Sequence, residues 1–122
     1  MKTLLQQLLR LMPYIFWALI AIVSVLMLIE LAPKEDSWPY WDKLQHAAVF
    51  VVLAVAGCLA FTQKQLWLCA SLVGFGALIE VLQGVLTTTR TRSVYDWLAD
   101  ILGILLAIAL LAIFKKRATE QK

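Results

Sequence analysis

Four apolar runs, each about as long as a bilayer is thick, leave this chain few ways to fold. They cover roughly residues 13–31, 44–61, 66–86 and 95–114. A helix crossing the hydrocarbon core needs about 20 mostly apolar residues. Of the 122 residues, 62% are hydrophobic and 16% charged, more apolar surface than a soluble domain of this size can hide. The expected fold is all-α: a polytopic membrane protein with four transmembrane helices in a bundle, forming a single domain over residues 1–122.

The polar residues divide the runs. Met1 to Met12 is amphipathic, with Leu4, Leu5, Leu8, Leu9 and Met12 at helical spacing, and reads as a short surface helix before the first span. Pro13 then opens that span, where its missing N–H costs nothing. The run is too long, and lacks the small-residue site, for a cleaved signal peptide. Ala32 to Trp41 is a loop with Pro33 and Pro39, and its Trp38, Tyr40 and Trp41 suit the headgroup layer. A tight connection at Thr62 to Gln65 joins the second and third runs. The loop Thr87 to Ser93 joins the third and fourth, and Lys115, Lys116 and Arg117 stop the last. Ala70, Gly74 and Ala77 form a small-residue stripe on the third run, and Ala99, Gly103 and Ala107 another on the fourth. Such stripes let helices approach closely in lipid.

Net charge is +3, from eleven Lys+Arg against eight Asp+Glu. Seven of the eleven basic residues fall in the termini and the Lys64 loop. The other side holds Lys34, Lys43, Arg90 and Arg92. The positive-inside rule puts both termini in the cytoplasm of a cell whose inner membrane holds the protein. There is no basic stripe with interleaved aromatics, so nucleic acid is not an expected partner. Cys58 and Cys69 lie inside apolar runs and read as small buried hydrophobes.

With this orientation, ionisable groups from three helices and a loop gather at the outer end. Asp42 and His46 are four residues apart and share a helix face, so the carboxylate can orient the imidazole for acid–base work. Glu80 lies roughly 9 Å below the outer end of its helix. A charge in the bilayer costs about 2.5–3.5 kcal/mol, so Glu80 should face the interior and have a partner. Either it is a buried acid or base, or it pairs with Arg90 or Arg92. Asp96 and Asp100 share another face, and at least one should pair with an arginine or stay protonated. Asp96 and Ser93 also read as capping residues; Asp100 lies a turn too deep for that. Lys43 is expected to point away, into the headgroup layer. Arg90 and Arg92, with Gln83 and Asp96 beside them, suit the binding of an anionic headgroup. No Ser–His–Asp nucleophile turn and no Gly-rich phosphate loop is present. His46 with its acids matches no strong metal motif, so neither metal nor other cofactor is expected.

The succession Asp42-Lys43-x-x-His46, Glu80-x-x-Gln83, Arg90, and Asp96-x-x-x-Asp100-x-x-Gly103 resembles the VanZ-like family of small bacterial membrane proteins. The likeness covers about residues 42–112. The chain departs from the family pattern at Asp100, where Asn is usual. Its gap from Gln83 to Arg90 is one residue longer, which makes Arg92 the other candidate for the matching arginine. The resemblance implies a cell-envelope role, and the name-giving member is associated with resistance to the glycopeptide teicoplanin. It assigns no reaction.

The leading expectation is an outward-facing polar pocket that binds or modifies an anionic, lipid-linked envelope component such as a cell-wall precursor. Arg90 or Arg92 would hold the headgroup, and His46, Asp42, Glu80 and Asp100 would handle protons if there is chemistry. The alternatives are a non-catalytic shielding or structural protein and, less favoured, an ion or proton path. Whether it is an enzyme, and whether it self-associates, the sequence leaves open.

Overall fold

The structure, a computed structural model, describes residues 2–29, 40–87 and 94–121. The described residues form four helices: α1 Lys2–Leu28, α2 Trp41–Ala60, α3 Gln65–Leu86 and α4 Val94–Glu120. Each is long and apolar enough to cross a bilayer. At most 39% of any of the four span windows is buried, so most of each helix looks outward. Those outward faces carry Trp17, Leu26, Leu66, Trp67, Leu102 and Leu106, a surface that lipid solvates and water does not. The chain is a multi-pass membrane protein.

Two boundaries differ from the sequence expectation. The amphipathic segment and the first span are one continuous helix, with Pro13 inside it. A proline there removes one backbone hydrogen bond. The helix carries that loss where it stands clear of the bundle, since residues 3–11 are all exposed. At the other terminus, Lys115, Lys116 and Arg117 end the apolar run without ending the helix, which continues to Glu120. Lysine and arginine are good helix formers, and their charge suits a helix C-terminus.

α2 and α3 each pack on all three other helices, whereas α1 and α4 do not meet among the described residues. The α2–α3 pair is therefore the middle of the bundle, with α1 and α4 on opposite flanks. A short turn makes α2 and α3 antiparallel, closed by the Lys64 N–H donating to the Phe61 carbonyl at 3.1 Å. Phe50, Leu53, Leu72 and Ile79 are fully enclosed between the helices.

Small residues set the closest approach. On α4 the expected stripe is at work: Ala99, Gly103 and Ala107 are all buried. On α3 the expected stripe faces elsewhere. Ala70 and Gly74 are exposed, and a Cβ on Gly74 would meet nothing within 4 Å. The inward face of α3 is Leu68, Leu72, Gly76, Ile79, Glu80 and Gln83, so Gly76 is the glycine at the interface.

Among the described residues, the buried polar and charged side chains are His46, Glu80, Gln83, Thr87, Asp96 and Asp100. All lie near the end where α2 and α4 begin and α1 and α3 finish. The opposite end holds the α2–α3 turn, the start of α1 and the end of α4.

Candidate functional site

His46 stands in the second turn of α2, Asp100 in the second turn of α4, and Glu80 about two turns before the end of α3. Their side chains converge. His46 Nδ1 lies 2.9 Å from Asp100 Oδ1 and 3.9 Å from Glu80 Oε1. With Asp100 ionised, its carboxylate only accepts, so Nδ1 donates in the short contact. Its one N–H therefore faces two carboxylates and bonds to Asp100. His46 and Glu80 are 2% and 5% exposed, and Asp100 is wholly enclosed.

Helical geometry produces this meeting. α2 and α4 run parallel, and Gly103 lets α4 sit on the α2 backbone at Ala47. One residue from Ala47 is His46, and three residues before Gly103 is Asp100, so close backbone contact sets the two side chains opposite each other. On α3, Gly76 lies one turn before Glu80, on the same face. A Cβ at Gly76 would come within 2.8 Å of Asp100 Oδ2, so this glycine makes room for the carboxylate. Asp100 Oδ2 accepts no hydrogen bond among the described residues.

Towards the helix ends the acidic character continues. Asp96 lies in the first turn of α4, where a carboxylate also suits the helix dipole. Lys43 Nζ approaches its Oδ1 at 3.4 Å. Asp42 is exposed, yet one ligand atom each from Asp42, His46 and Asp96 lie within 4.8 Å of one another. The cluster thus runs inward from Asp42 through His46 to Asp100.

Three further hydrogen bonds brace the site. Gln83 Nε2 donates to the Met27 carbonyl at 2.8 Å, tying α3 to the last turn of α1. Trp97 Nε1 donates to the Val73 carbonyl at 3.0 Å, tying α4 to α3. Thr87 Oγ1 donates to the Gln83 carbonyl and closes the end of α3.

Asp42, His46, Glu80, Gln83, Asp96 and Asp100 are therefore brought to one end of the bundle, with altered partnerships. The carboxylate bonded to His46 Nδ1 is Asp100, 54 residues away, and not the near neighbour Asp42. His46 turns inward while Asp42 stays at the exposed rim. Lys43 does not point away; it crosses to α4. Gln83, expected beside a headgroup, is 2% exposed with its amide nitrogen engaged by Met27. Arg90, Arg92 and Ser93 lie outside the described residues. Sequence reasoning missed Gly76 and Trp97. The spacing Leu72, Gly76, Glu80 was the available signal for the glycine, because it places Gly76 on the face of the buried acid.

A histidine held through Nδ1 by a carboxylate has a fixed tautomer, and Nε2 becomes the nitrogen that takes or gives a proton. The arrangement is equipped for acid–base work or for cation binding. No family model, curated protein or solved structure matches the chain.

Proposed function

We propose that this chain is a VanZ-like protein of the bacterial inner membrane that binds or modifies the anionic headgroup of a lipid-linked cell-envelope component. The observation that carries this reading is the buried His46–Asp100 pair with Glu80 beside it, contributed by three helices at one end of the bundle. Ionisable side chains at membrane depth are costly, and they mark functional sites. In this reading His46 exchanges protons with the headgroup through Nε2, and Asp100 holds the ring. Arg90 and Arg92 belong to the short segment between Thr87 and Val94, which join it to the two site-bearing helices. They supply the donors for a phosphate. A role in resistance to envelope-targeting antibiotics follows from the same reading.

One observation favours a second reading. Asp100 is wholly enclosed, as expected of a polar network that only fastens helices in a shielding protein without catalysis. A proton path across the bilayer has less support, because every buried charged group among the described residues lies at the same end.

The deciding experiment is mass spectrometry of total membrane lipids, lipid-linked precursors included. It compares deletion, wild type, and Glu80→Gln at equal expression, together with the lipids that co-purify with each protein. A species altered by wild type and not by the variant supports modification. An anionic lipid retained by wild type and lost from the variant supports binding. Identical profiles and identical co-purifying lipids would sink the headgroup reading and leave the fastening network.

A further inference from the structure

We infer that His46, Glu80 and Asp100 form a binding site for a divalent transition-metal cation of the zinc type. The inference goes beyond the headgroup reading and is tested on the purified protein without any lipid substrate.

The donor set comes first. The three residues each offer one ligand atom, all within 4.8 Å of one another, and all three side chains are buried. One imidazole nitrogen and two carboxylate oxygens form a nitrogen–oxygen set of the kind that binds first-row divalent ions. The ligand atoms of tetrahedral zinc stand about 3.3–3.5 Å apart. His46 Nδ1 is 2.9 Å from Asp100 Oδ1 and 3.9 Å from Glu80 Oε1, distances that bracket this value. The three residues come from three helices, so the cation would cross-link the bundle.

Asp100 supplies the second, independent observation. It is wholly enclosed, and its Oδ2 accepts no hydrogen bond among the described residues. A buried carboxylate with an unused oxygen is expensive unless something positive meets it. The single proton on His46 Nδ1 satisfies one oxygen of the pair. A divalent ion in its place would engage both carboxylates, with the imidazole proton moving to Nε2.

The neighbouring triad of Asp42, His46 and Asp96 is a weaker candidate. Lys43 already stands 3.4 Å from Asp96 Oδ1, so a cation there would displace an ammonium. This outer group is better suited as the way in, since Asp42 reaches the exposed rim. Three protein ligands also leave a fourth position for water or a ligand oxygen.

The test uses the full chain purified in detergent, stripped with chelator and titrated with Zn²⁺ and, separately, Co²⁺. Bound metal is read by elemental analysis, and cobalt coordination by its visible absorption. The expected result is one equivalent bound by wild type, with affinity lowered by at least roughly tenfold in His46→Ala and in Asp100→Asn. Cys58 and Cys69 are both free thiols and offer rival zinc ligands. The double variant Cys58→Ser/Cys69→Ser must therefore keep the site. Loss of binding in that variant would overturn the inference, as would wild type binding no stoichiometric metal. Helix content by circular dichroism identifies a variant that has not folded. The wild-type titration decides independently of any variant, through the rise in Tm that ligand binding to the folded state produces.

Discussion

Gly103 of α4 rests on the main-chain carbonyl of Ala47 in α2, so closely that a Cβ at residue 103 would stand 2.3 Å from that oxygen. This contact places Asp100 opposite His46. The obstacle is backbone, which cannot rotate aside as a side chain does. Relief requires the two helices to separate along the most extensive interface in the bundle.

Gly103→Ala should therefore destabilise the bundle by about 1–3 kcal/mol or more, the cost of overpacking a close interface. Gly74→Ala is the matched control: its Cβ would meet nothing within 4 Å, and alanine is the better helix former by up to about 1 kcal/mol. Thermal unfolding in detergent should show a lower midpoint for Gly103→Ala and an equal or higher one for Gly74→Ala. Equal behaviour of the two variants would mean that the α2–α4 approach is looser than the structure shows.

The His46–Asp100 contact should be energetically coupled. Removing one partner of a buried pair leaves the other without its counterpart, at a cost of about 3–5 kcal/mol. Both residues are buried, and their contact is short. A double-mutant cycle with His46→Gln and Asp100→Asn should give a coupling energy within the roughly 0.5–3 kcal/mol seen for contacting residues. Strictly additive effects would show that the two side chains do not act as a pair.

Gln83 fastens α1. Its Nε2 donates to the Met27 carbonyl, one of the last four carbonyls of α1, which have no partner within their own helix. Gln83→Leu keeps most of the bulk and removes the donor, so it should weaken the attachment by about 1–3 kcal/mol. Gln83→Glu, ionised, also lacks the donor. Hydrogen exchange should rise over residues 25–29 in both variants, with the α2–α4 contact still protected. Unchanged exchange there would show that apolar packing around Met27 and Val23 suffices.

The polar residues of this site were readable because they interrupt apolar runs. His46, Glu80 and Asp100 stand out in a sequence that is 62% hydrophobic, and the alternation of four spans brings their helix ends together. Helix rotation was not readable. In lipid the outer face of a helix is as apolar as the inner one, so periodicity no longer distinguishes them. That is why Gly74 looked like the packing glycine on α3 when Gly76 fills that place. The same ambiguity hid the His46–Asp100 pairing: Asp42 was the visible neighbour along the helix, whereas Asp100 arrives through the register of α4 on α2. The continuity of α1 through Pro13 escaped for another reason. Proline reads as a boundary, but a helix in lipid has no water to replace its backbone hydrogen bonds, which favours continuing over breaking.

Membrane orientation is the remaining prediction, and the headgroup reading depends on it. The structure puts the His46 site at one end and the α2–α3 turn with the end of α4 at the other. The basic residues cluster at the turn and the termini, so the positive-inside rule predicts a cytoplasmic location for that side and an outward-facing site. The native cysteines are first replaced by serine, and single cysteines are then introduced as Val94→Cys, Gln63→Cys and Gln121→Cys. All three positions are exposed. A membrane-impermeant maleimide added to intact cells should label the first and spare the other two until the membrane is opened. The reverse pattern would turn the site towards the cytoplasm, where a lipid-linked envelope component displayed on the outer face could not reach it. The metal site would survive that result, since it depends on three side chains and not on the side they face.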